Sequence, residues 1–176
     1  MHHGKKHRAE VAKSLPEWER MFIAYKELKK QVKLIRAGID QGNLEAEDMG
    51  FTLLLDRELN KINTFYIDKE EDYIIRFREL EIMAQNLNGR EEMLEVLKDI
   101  LSFHAEMVML LHYSVINFTG LMKIVKKHKK HRGASDESPP YMPRVLQQPF
   151  FSTDLLYNLI KGCEAILIRL SPPNDP

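Results

Sequence analysis

Lysine side chains recur along one side of the stretch from Asn117 to Lys130, which reads NFTGLMKIVKKHKK. Placed on a helix at about 100° per residue, the lysines face one way, namely Lys123, Lys126, Lys127 and Lys130. Apolar side chains collect on the opposite side, namely Phe118, Leu121, Ile124 and Val125. Like charges at this spacing repel by about 0.2 to 0.5 kcal/mol per pair, so a bound anion would stabilise the lysine side. The alternative is a basic surface that water alone solvates.

A second lysine cluster flanks the helix that the sequence predicts after Pro16. The buried face of this helix consists of residues at helical spacing, namely Trp18, Met21, Phe22, Tyr25, Leu28, Val32 and Ile35. Its lysines flank that face and are Lys26, Lys29, Lys30 and Lys33. Lys29 lies one turn beyond Tyr25 on the same side of the helix. The sequence therefore contains two lysine clusters on separate predicted helices.

Positive and negative charges balance over the 176 residues, with 26 Lys plus Arg and 26 Asp plus Glu. A general nucleic-acid binder more often has a basic excess, so an anion site in this chain has to be a local concentration of charge. The length is that of one domain, and 44% hydrophobic with 30% charged residues fits a soluble helical protein. The only cysteine, Cys163, excludes an intramolecular disulfide and fits a reducing compartment.

The sequence predicts neither a membrane span nor a signal peptide. No uninterrupted apolar run approaches the roughly 18 to 20 residues that a span needs, and the N-terminus MHHGKKHRAE has no apolar core. We therefore expect the protein in the nucleus and cytoplasm, without membrane contact.

Motifs of catalysis and of metal binding are absent from the sequence. There is no phosphate-binding loop, no GxGxxG, no GxSxG and no Cys/His array with zinc spacing. A lone histidine such as His104, beside Glu106 on a core helix, is usually structural. His128 and His131 have the spacing of metal ligands on one helix face, but no carboxylate is near them in sequence. We predict no catalytic residue, no metal site, no cofactor and no enzyme activity.

Helical periodicity and turn signals predict an all-α fold. A short helix over residues 2–14 precedes the second helix, which begins at Ser14 or Leu15 with Pro16 in its first turn. The glycine-containing stretch Ala37–Asp48 reads as a connector, and a long helix follows over Phe51–Leu87.

Asn88 and Gly89 supply the turn into a second long helix, so the two long helices should be antiparallel neighbours. The expected core stripe of this second long helix is Leu94, Leu97, Leu101, Met107, Val108, Leu111, Val115 and Phe118. Gly120 inside it indicates a close helix crossing or a bend. A loop over Gly133–Pro143 and a last helix ending before Pro172 complete the chain.

Three stretches together resemble the SPX domain, a eukaryotic phosphate-signalling module, and its plant stand-alone members most of all. They are LPEWERMFIAYKELKK from Leu15, LNKINTFYIDKEEDY from Leu59, and INFTGLMKIVKKHKK from Ile116 with the following VLQQPFFSTDLLYNLIKGCEAIL from Val145. The resemblance covers nearly the whole chain and implies an SPX domain over residues 1–170 with a tail at 171–176. It implies an N-terminal helical hairpin packed on two long antiparallel helices and closed by short C-terminal helices.

The resemblance also implies a ligand and its site. SPX domains bind inositol polyphosphates and pyrophosphates, such as inositol hexakisphosphate, without transforming them. The family pattern has a Tyr and a Lys four residues on in the hairpin, and lysines spaced K-x-x-K-K on the second long helix. The matching positions in this chain are Tyr25, Lys29, Lys123, Lys126 and Lys127, with Lys130 at a further basic position.

One position departs from the family pattern. Members usually begin Met-Lys-Phe, whereas this chain begins with Met1, His2 and His3. Backbone N–H groups at the helix start can still meet a phosphate, but a histidine at position 2 weakens the side-chain contribution near neutral pH. Lys5 and Lys6 are the candidates to compensate.

A binding domain of this kind has to act through a partner. The resemblance to plant stand-alone members implies a phosphate sensor that represses MYB coiled-coil transcription factors of the phosphate-starvation response. The alternative is a regulatory module cut from a phosphate exporter, a vacuolar transporter or a ubiquitin ligase. A helical nucleic-acid-binding module using Lys123–Arg132 is a competing hypothesis, against which stand the zero net charge and the lack of interleaved aromatics. A structural scaffold with solvated lysines is another.

Overall fold

Six α-helices and two 3₁₀ helices form the part of the chain that the computed structural model describes, residues 2–133 and 142–171, and no strand occurs in those ranges. In chain order they are α1 (His2–Ala12), a 3₁₀ helix (Pro16–Met21), α2 (Tyr25–Gln41), α3 (Leu44–Gln85), α4 (Arg90–His131), α5 (Met142–Leu146), a second 3₁₀ helix (Pro149–Phe151) and α6 (Asp154–Leu170). The predicted all-α class is confirmed. Most of the predicted loop Gly133–Pro143 and of the tail lies outside the described residues.

The two long helices α3 and α4 each contain 42 residues and so extend about 63 Å at 1.5 Å per residue. Residues 86–89 join them, and Gly89 adopts a φ of 137° that a side chain would strain. Such a short link makes the two helices antiparallel neighbours, as the sequence predicts. Both α2 and α6 pack against this pair, and α1 packs against α4 and α2.

A helix does begin at Pro16 with Leu15 as its N-cap, as the sequence predicts, but it is a 3₁₀ helix. The prediction of one continuous second helix is wrong, because α2 begins only at Tyr25. Residues 16–21 form the first 3₁₀ helix, and the link after it is held by side chains from both long helices. The N–H of Ile23 donates to Oδ1 of Asn117 at 2.6 Å, and the N–H of Ala24 donates to Oε1 of Glu58 at 2.6 Å. Because these contacts are distant in sequence, local helical spacing could not reveal them.

The predicted connector Ala37–Asp48 is also wrong, because helix occupies all of it except Gly42 and Asn43. Gly42 ends α2 with a φ of 77°. The other glycines nearby are helical and permit a close crossing of α2 and α3. A Cβ at Gly38 would lie 3.1 Å from Cγ of Glu47, and one at Gly50 would lie 2.9 Å from Nε2 of Gln31.

The face of α4 that enters the core differs from the predicted stripe. Its buried apolar residues include Val96, Ile100, Phe103, Met107, Leu110, Tyr113, Leu121 and Ile124. Of the predicted stripe, five residues are 41% to 56% exposed, namely Leu94, Leu101, Val108, Val115 and Phe118. The helix is apolar on more than one side, so spacing alone did not decide which side faces α2, α3 and α6.

One 18-residue window of α4 is long and apolar enough to cross a membrane by length and composition. This is weak evidence of a span, since the core helix of a soluble protein passes the same test. In this bundle 44% of the window is buried.

Candidate functional site

Lysines from two helices meet at the C-terminal end of α4. Lys127 is half-buried there, and its pKa is lowered first by burial and then by four positive charges close to it. Those charges belong to Lys29 and Lys33 of α2 and to Lys123 and Lys130 of α4. The structure therefore unites the two clusters that the sequence placed on separate helices. We call Lys29, Lys33, Lys123, Lys127 and Lys130 the lysine cluster.

The five lysines of the lysine cluster have no acidic side chains paired with them among the described residues. Among the side chains that the structure describes, no carboxylate lies within ion-pair distance of any of its five members. Mutual repulsion of this kind is unfavourable until an anion binds, and partial burial reduces its screening by salt. The cluster is thus suited to an anion with several negative charges.

Lys126 is the predicted site residue for which the structure gives the least support. It is exposed on the same turns of α4, but it is not among the charges that lower the pKa of Lys127. Lys33, in contrast, acts on Lys127 although the sequence reasoning did not select it. Its position two turns beyond Tyr25 was the available signal.

Tyr25 lies at the first turn of α2, one turn before Lys29. Its side chain is 3% exposed, and its hydroxyl has no hydrogen-bond partner among the described residues. Burial raises the pKa of this phenol, so the hydroxyl keeps its proton and remains a donor. An unpaired buried donor in the same groove as Lys29 is the arrangement expected of a group that donates to a ligand oxygen.

The first turn of α2 is fixed by a buried ion pair below it. Glu58 is 2% exposed and lies 2.7 Å from Nζ of Lys61. Lys61 also donates to the carbonyl of Phe22 at 2.8 Å. Together with the Asn117 contact, these bonds hold residues 22–24 between α3 and α4 and so set the position of Tyr25.

The last turns of α4 are fixed by His128, which is 1% exposed. Its ring stacks on Phe51 at a centroid distance of 4.2 Å, and its Nε2 lies 2.6 Å from Oδ1 of Asp48. Burial lowers the pKa of His128 even though Asp48 opposes this effect. His128 therefore ties the lysine-bearing end of α4 to the beginning of α3.

The other histidines considered from the sequence also have structural contacts. Nδ1 of His131 lies 3.0 Å from the carbonyl oxygen of Lys127, within its own helix. Nε2 of His104 lies 3.4 Å from Oε1 of Glu164 on α6. The described residues contain no group of three or more potential metal ligands.

Helix α1 also approaches the lysine cluster, because Lys123 and Lys127 are close enough to His3 to lower its pKa, after the larger effect of burial. A groove of about 620 Å³ separates α1 from the start of α2, and Lys5, Tyr25 and Lys29 are among the residues that line it. The side chain of His2 lies outside the described residues. The His3 ring contacts Tyr25 edge-on at a centroid distance of 4.8 Å.

Comparison with known proteins finds relatives along the whole chain, although no family model matches it. SPX domain-containing protein 1 of Oryza sativa subsp. indica is 44% identical over 199 residues, covering 99% of this chain and 67% of the relative. SPX domain-containing protein 2 of Arabidopsis thaliana is 42% identical over 194 residues, with the same two shares.

A solved structure shares the fold. It is the SPX domain of Chaetomium thermophilum glycerophosphodiester phosphodiesterase 1 in complex with inositol hexakisphosphate. The two structures agree with a TM-score of 0.83 over 97% of this chain and 99% of that one, at 24% identity. The hairpin on two long antiparallel helices, implied by the sequence motifs, is thereby confirmed. With identities of 42% and 44% to its plant relatives, this chain belongs to the SPX domain family.

Proposed function

We propose that this domain binds an inositol polyphosphate or inositol pyrophosphate at the lysine cluster. The observation that carries the proposal is the meeting of Lys29 and Lys33 with Lys123, Lys127 and Lys130, with the unpaired hydroxyl of Tyr25 one turn before Lys29. The solved neighbour with the same fold is in complex with inositol hexakisphosphate, which supports this class of ligand. Lys126 and Lys130 complete the proposed contacts on α4.

The number of lysines favours a polyphosphate over a single orthophosphate. A hydrogen bond to a charged group contributes about 1.5 to 3 kcal/mol, so five contacts give on the order of 8 to 15 kcal/mol. Association itself costs several kcal/mol, which leaves a dissociation constant in the micromolar range or tighter. Orthophosphate meets only one or two lysines at a time, so its binding should be very weak.

We propose binding without turnover. Lysines hold phosphate groups as point charges, whereas hydrolysis of a phosphate ester also requires an activated nucleophile or a metal-bound water. The sequence contains no motif for either. The bound ligand would therefore act as a signal of phosphate supply rather than as a substrate.

The signal would be read by a protein partner, and we propose a MYB coiled-coil transcription factor in the nucleus and cytoplasm. A regulatory module from a transporter, exporter or ubiquitin ligase would use the same site with a different partner. Co-purification of a MYB coiled-coil protein with this domain, in the presence and absence of inositol hexakisphosphate, tests the first proposal. Ligand-dependent capture supports it, and equal or absent capture argues against it.

Titration calorimetry with inositol hexakisphosphate tests the proposed site. Lys29→Ala and Lys127→Ala should each weaken binding by about 10- to 100-fold, because each removes one charged hydrogen bond. Lys98→Ala is the matched control, since Lys98 is an exposed lysine on α4, 29 residues or about 44 Å before Lys127 at 1.5 Å per residue. The control should bind like the wild type.

Equal affinity in the wild type and in both site variants would rule out this assignment.

A gel-shift experiment with random DNA and RNA tests the alternative of a helical nucleic-acid-binding module. Nucleic-acid binding that inositol hexakisphosphate fails to displace would favour the nucleic-acid module instead.

A further inference from the structure

Helix α1 runs antiparallel to the second half of α4. This direction determines which residues of α4 each turn of α1 lies against. Near its end, Oε2 of Glu10 lies 3.2 Å from Nε2 of His112. One turn earlier, the His7 ring packs against Gly120, where an added Cβ would lie 3.5 Å from its Nδ1. His3 is one further turn towards the start of α1. The antiparallel course therefore brings His3 to the turns of α4 that carry Lys123 and Lys127.

His3, His7 and Tyr25 form one group of rings beneath the lysine cluster. The His3 ring lies 4.8 Å from the Tyr25 ring and 6.2 Å from the His7 ring, and the His7 and Tyr25 rings are 5.7 Å apart. Each ring carries one buried polar atom with no hydrogen-bond partner among the described residues: Nε2 of His3, Nδ1 of His7 and the hydroxyl of Tyr25. Three unpaired polar atoms in one contact group are unusual in a folded protein.

His7 and His3 differ in whether a hydrogen bond fixes the ring. Nε2 of His7 lies 3.2 Å from the carbonyl oxygen of Ile23 and so donates to it, which leaves Nδ1 as an acceptor in the neutral ring. No hydrogen bond within the described part of the chain fixes the His3 ring. A proton on its buried Nε2 would lack an acceptor among the described residues, and a phosphate group at the lysine cluster would supply one.

The charged groups around His3 are all positive. Lys123 and Lys127 face it from α4, and Lys6 and the amino terminus contribute from its own helix, while Tyr25 on α2 is neutral. His3 in turn lowers the pKa of His7, the other histidine of the ring group. Burial, followed by Lys123 and Lys127, lowers the pKa of His3, so its ring is held neutral in the free protein.

We propose that His3 takes up a proton when a polyphosphate binds the lysine cluster, so that this chain holds its ligand more tightly as the pH falls from about 8 to about 6. The inference rests on the proposed function of the cluster. It assigns His3 as a titratable part of the ligand site, one turn along α1 from His7.

The sign follows from proton linkage. A bound polyanion offsets the positive charges that lower the pKa of His3, so the complex binds more protons than the free protein. Affinity therefore rises as the pH falls between the pKa of the complex and that of the free protein, and His3 adds nothing outside that interval. A single proton changes affinity by at most about tenfold per pH unit.

The test compares inositol hexakisphosphate binding at pH 7.5 and pH 6.2 by calorimetry in the wild type, His3→Phe, His3→Gln and His104→Gln. Phenylalanine keeps a ring against Tyr25, and glutamine keeps a polar group, but neither titrates. His104 is the control because it lies on α4 about 28 Å before Lys123 at 1.5 Å per residue. Ionisation of the ligand itself affects all four proteins alike.

Relative to His3→Phe and His3→Gln, the wild type and His104→Gln should gain about 3- to 10-fold in affinity at the lower pH. In NMR titrations the ring signals of His3 should shift to a higher pKa when ligand is added. Binding with the same pH dependence in all four proteins overturns this inference alone. Absence of binding at both pH values overturns the proposed function, and this inference with it.

Discussion

Two groups of basic side chains flank the start of α2. One group forms ion pairs with acidic side chains, and the other does not among the described residues. Lys61 on α3 lies 2.7 Å from the buried Glu58, and Arg57 lies 3.1 Å from Glu27. The lysine cluster, from Lys29 to Lys130, has no such partner among the described residues. Paired cations hold the hairpin on the long helices, whereas the unpaired cations are left to a ligand. A net charge of zero conceals this separation.

Of the substitutions that distinguish the paired from the unpaired cations, Lys61→Met should change the stability of the fold most. Methionine keeps the apolar stem but leaves Glu58 and the carbonyl of Phe22 without their donor. We expect a loss of about 2 to 3 kcal/mol in the free energy of unfolding, below the full cost of breaking a buried pair because Lys61 is partly exposed. Chemical denaturation measures it.

Lys30→Met is the control for this experiment, because Lys30 is exposed on α2. It should change stability by no more than about 0.5 kcal/mol. If both variants unfold at the same denaturant concentration, the Lys61 pair does not hold the hairpin.

A smaller effect on stability should come from the protonation of His7, which is 7% exposed. Burial lowers the pKa of His7 below 6.5, an effect that the Ile23 hydrogen bond opposes. As the pH falls through 6.5 the unfolded chain takes up the proton first, so stability is lost from there down to the folded-state pKa. Between pH 7.5 and 5.5 the wild type should lose about 1 kcal/mol more than His7→Leu. Equal losses would show that His7 is protonated as readily in the folded protein.

The smallest effect should come from Lys127→Met in the absence of ligand, and its sign is opposite to that of Lys61→Met. Removing one of five mutually repelling charges should stabilise the fold by a few tenths of a kcal/mol to about 1 kcal/mol at low salt. The gain should shrink as salt is added. Destabilisation by Lys127→Met at low salt would mean that the lysine has an unrecognised structural role.

Much of the helical arrangement, and the positions of the lysines on it, could be predicted from the sequence. Helical spacing identified the lysines on α2 and α4, and the short turn at Gly89 predicted the antiparallel long helices. The start of α2 could not be predicted, because Asn117 and Glu58 hold residues 22–24 from 94 and 34 positions away. Gly38 was interpreted as part of a connector, whereas it lies in α2 and permits a close helix crossing.

The site was predicted less completely than the fold. Lys33 escaped selection because the motif resemblance names only Tyr25 and Lys29 on α2. His3 was noted only as part of an unusual N-terminus, since its approach to Lys123 depends on the course of α1 along α4. Both residues become visible only when the packing of α1, α2 and α4 is known.

The central claim is that one polyphosphate contacts α2 and α4 together. Amide chemical shifts of the ¹⁵N-labelled domain, recorded while inositol hexakisphosphate is added, test it most directly. The account predicts shifts in two segments that move with one common titration curve, residues 25–33 of α2 and residues 120–131 of α4, with residues 90–100 unaffected. Shifts confined to one of the two helices, or centred elsewhere on the bundle, would contradict it.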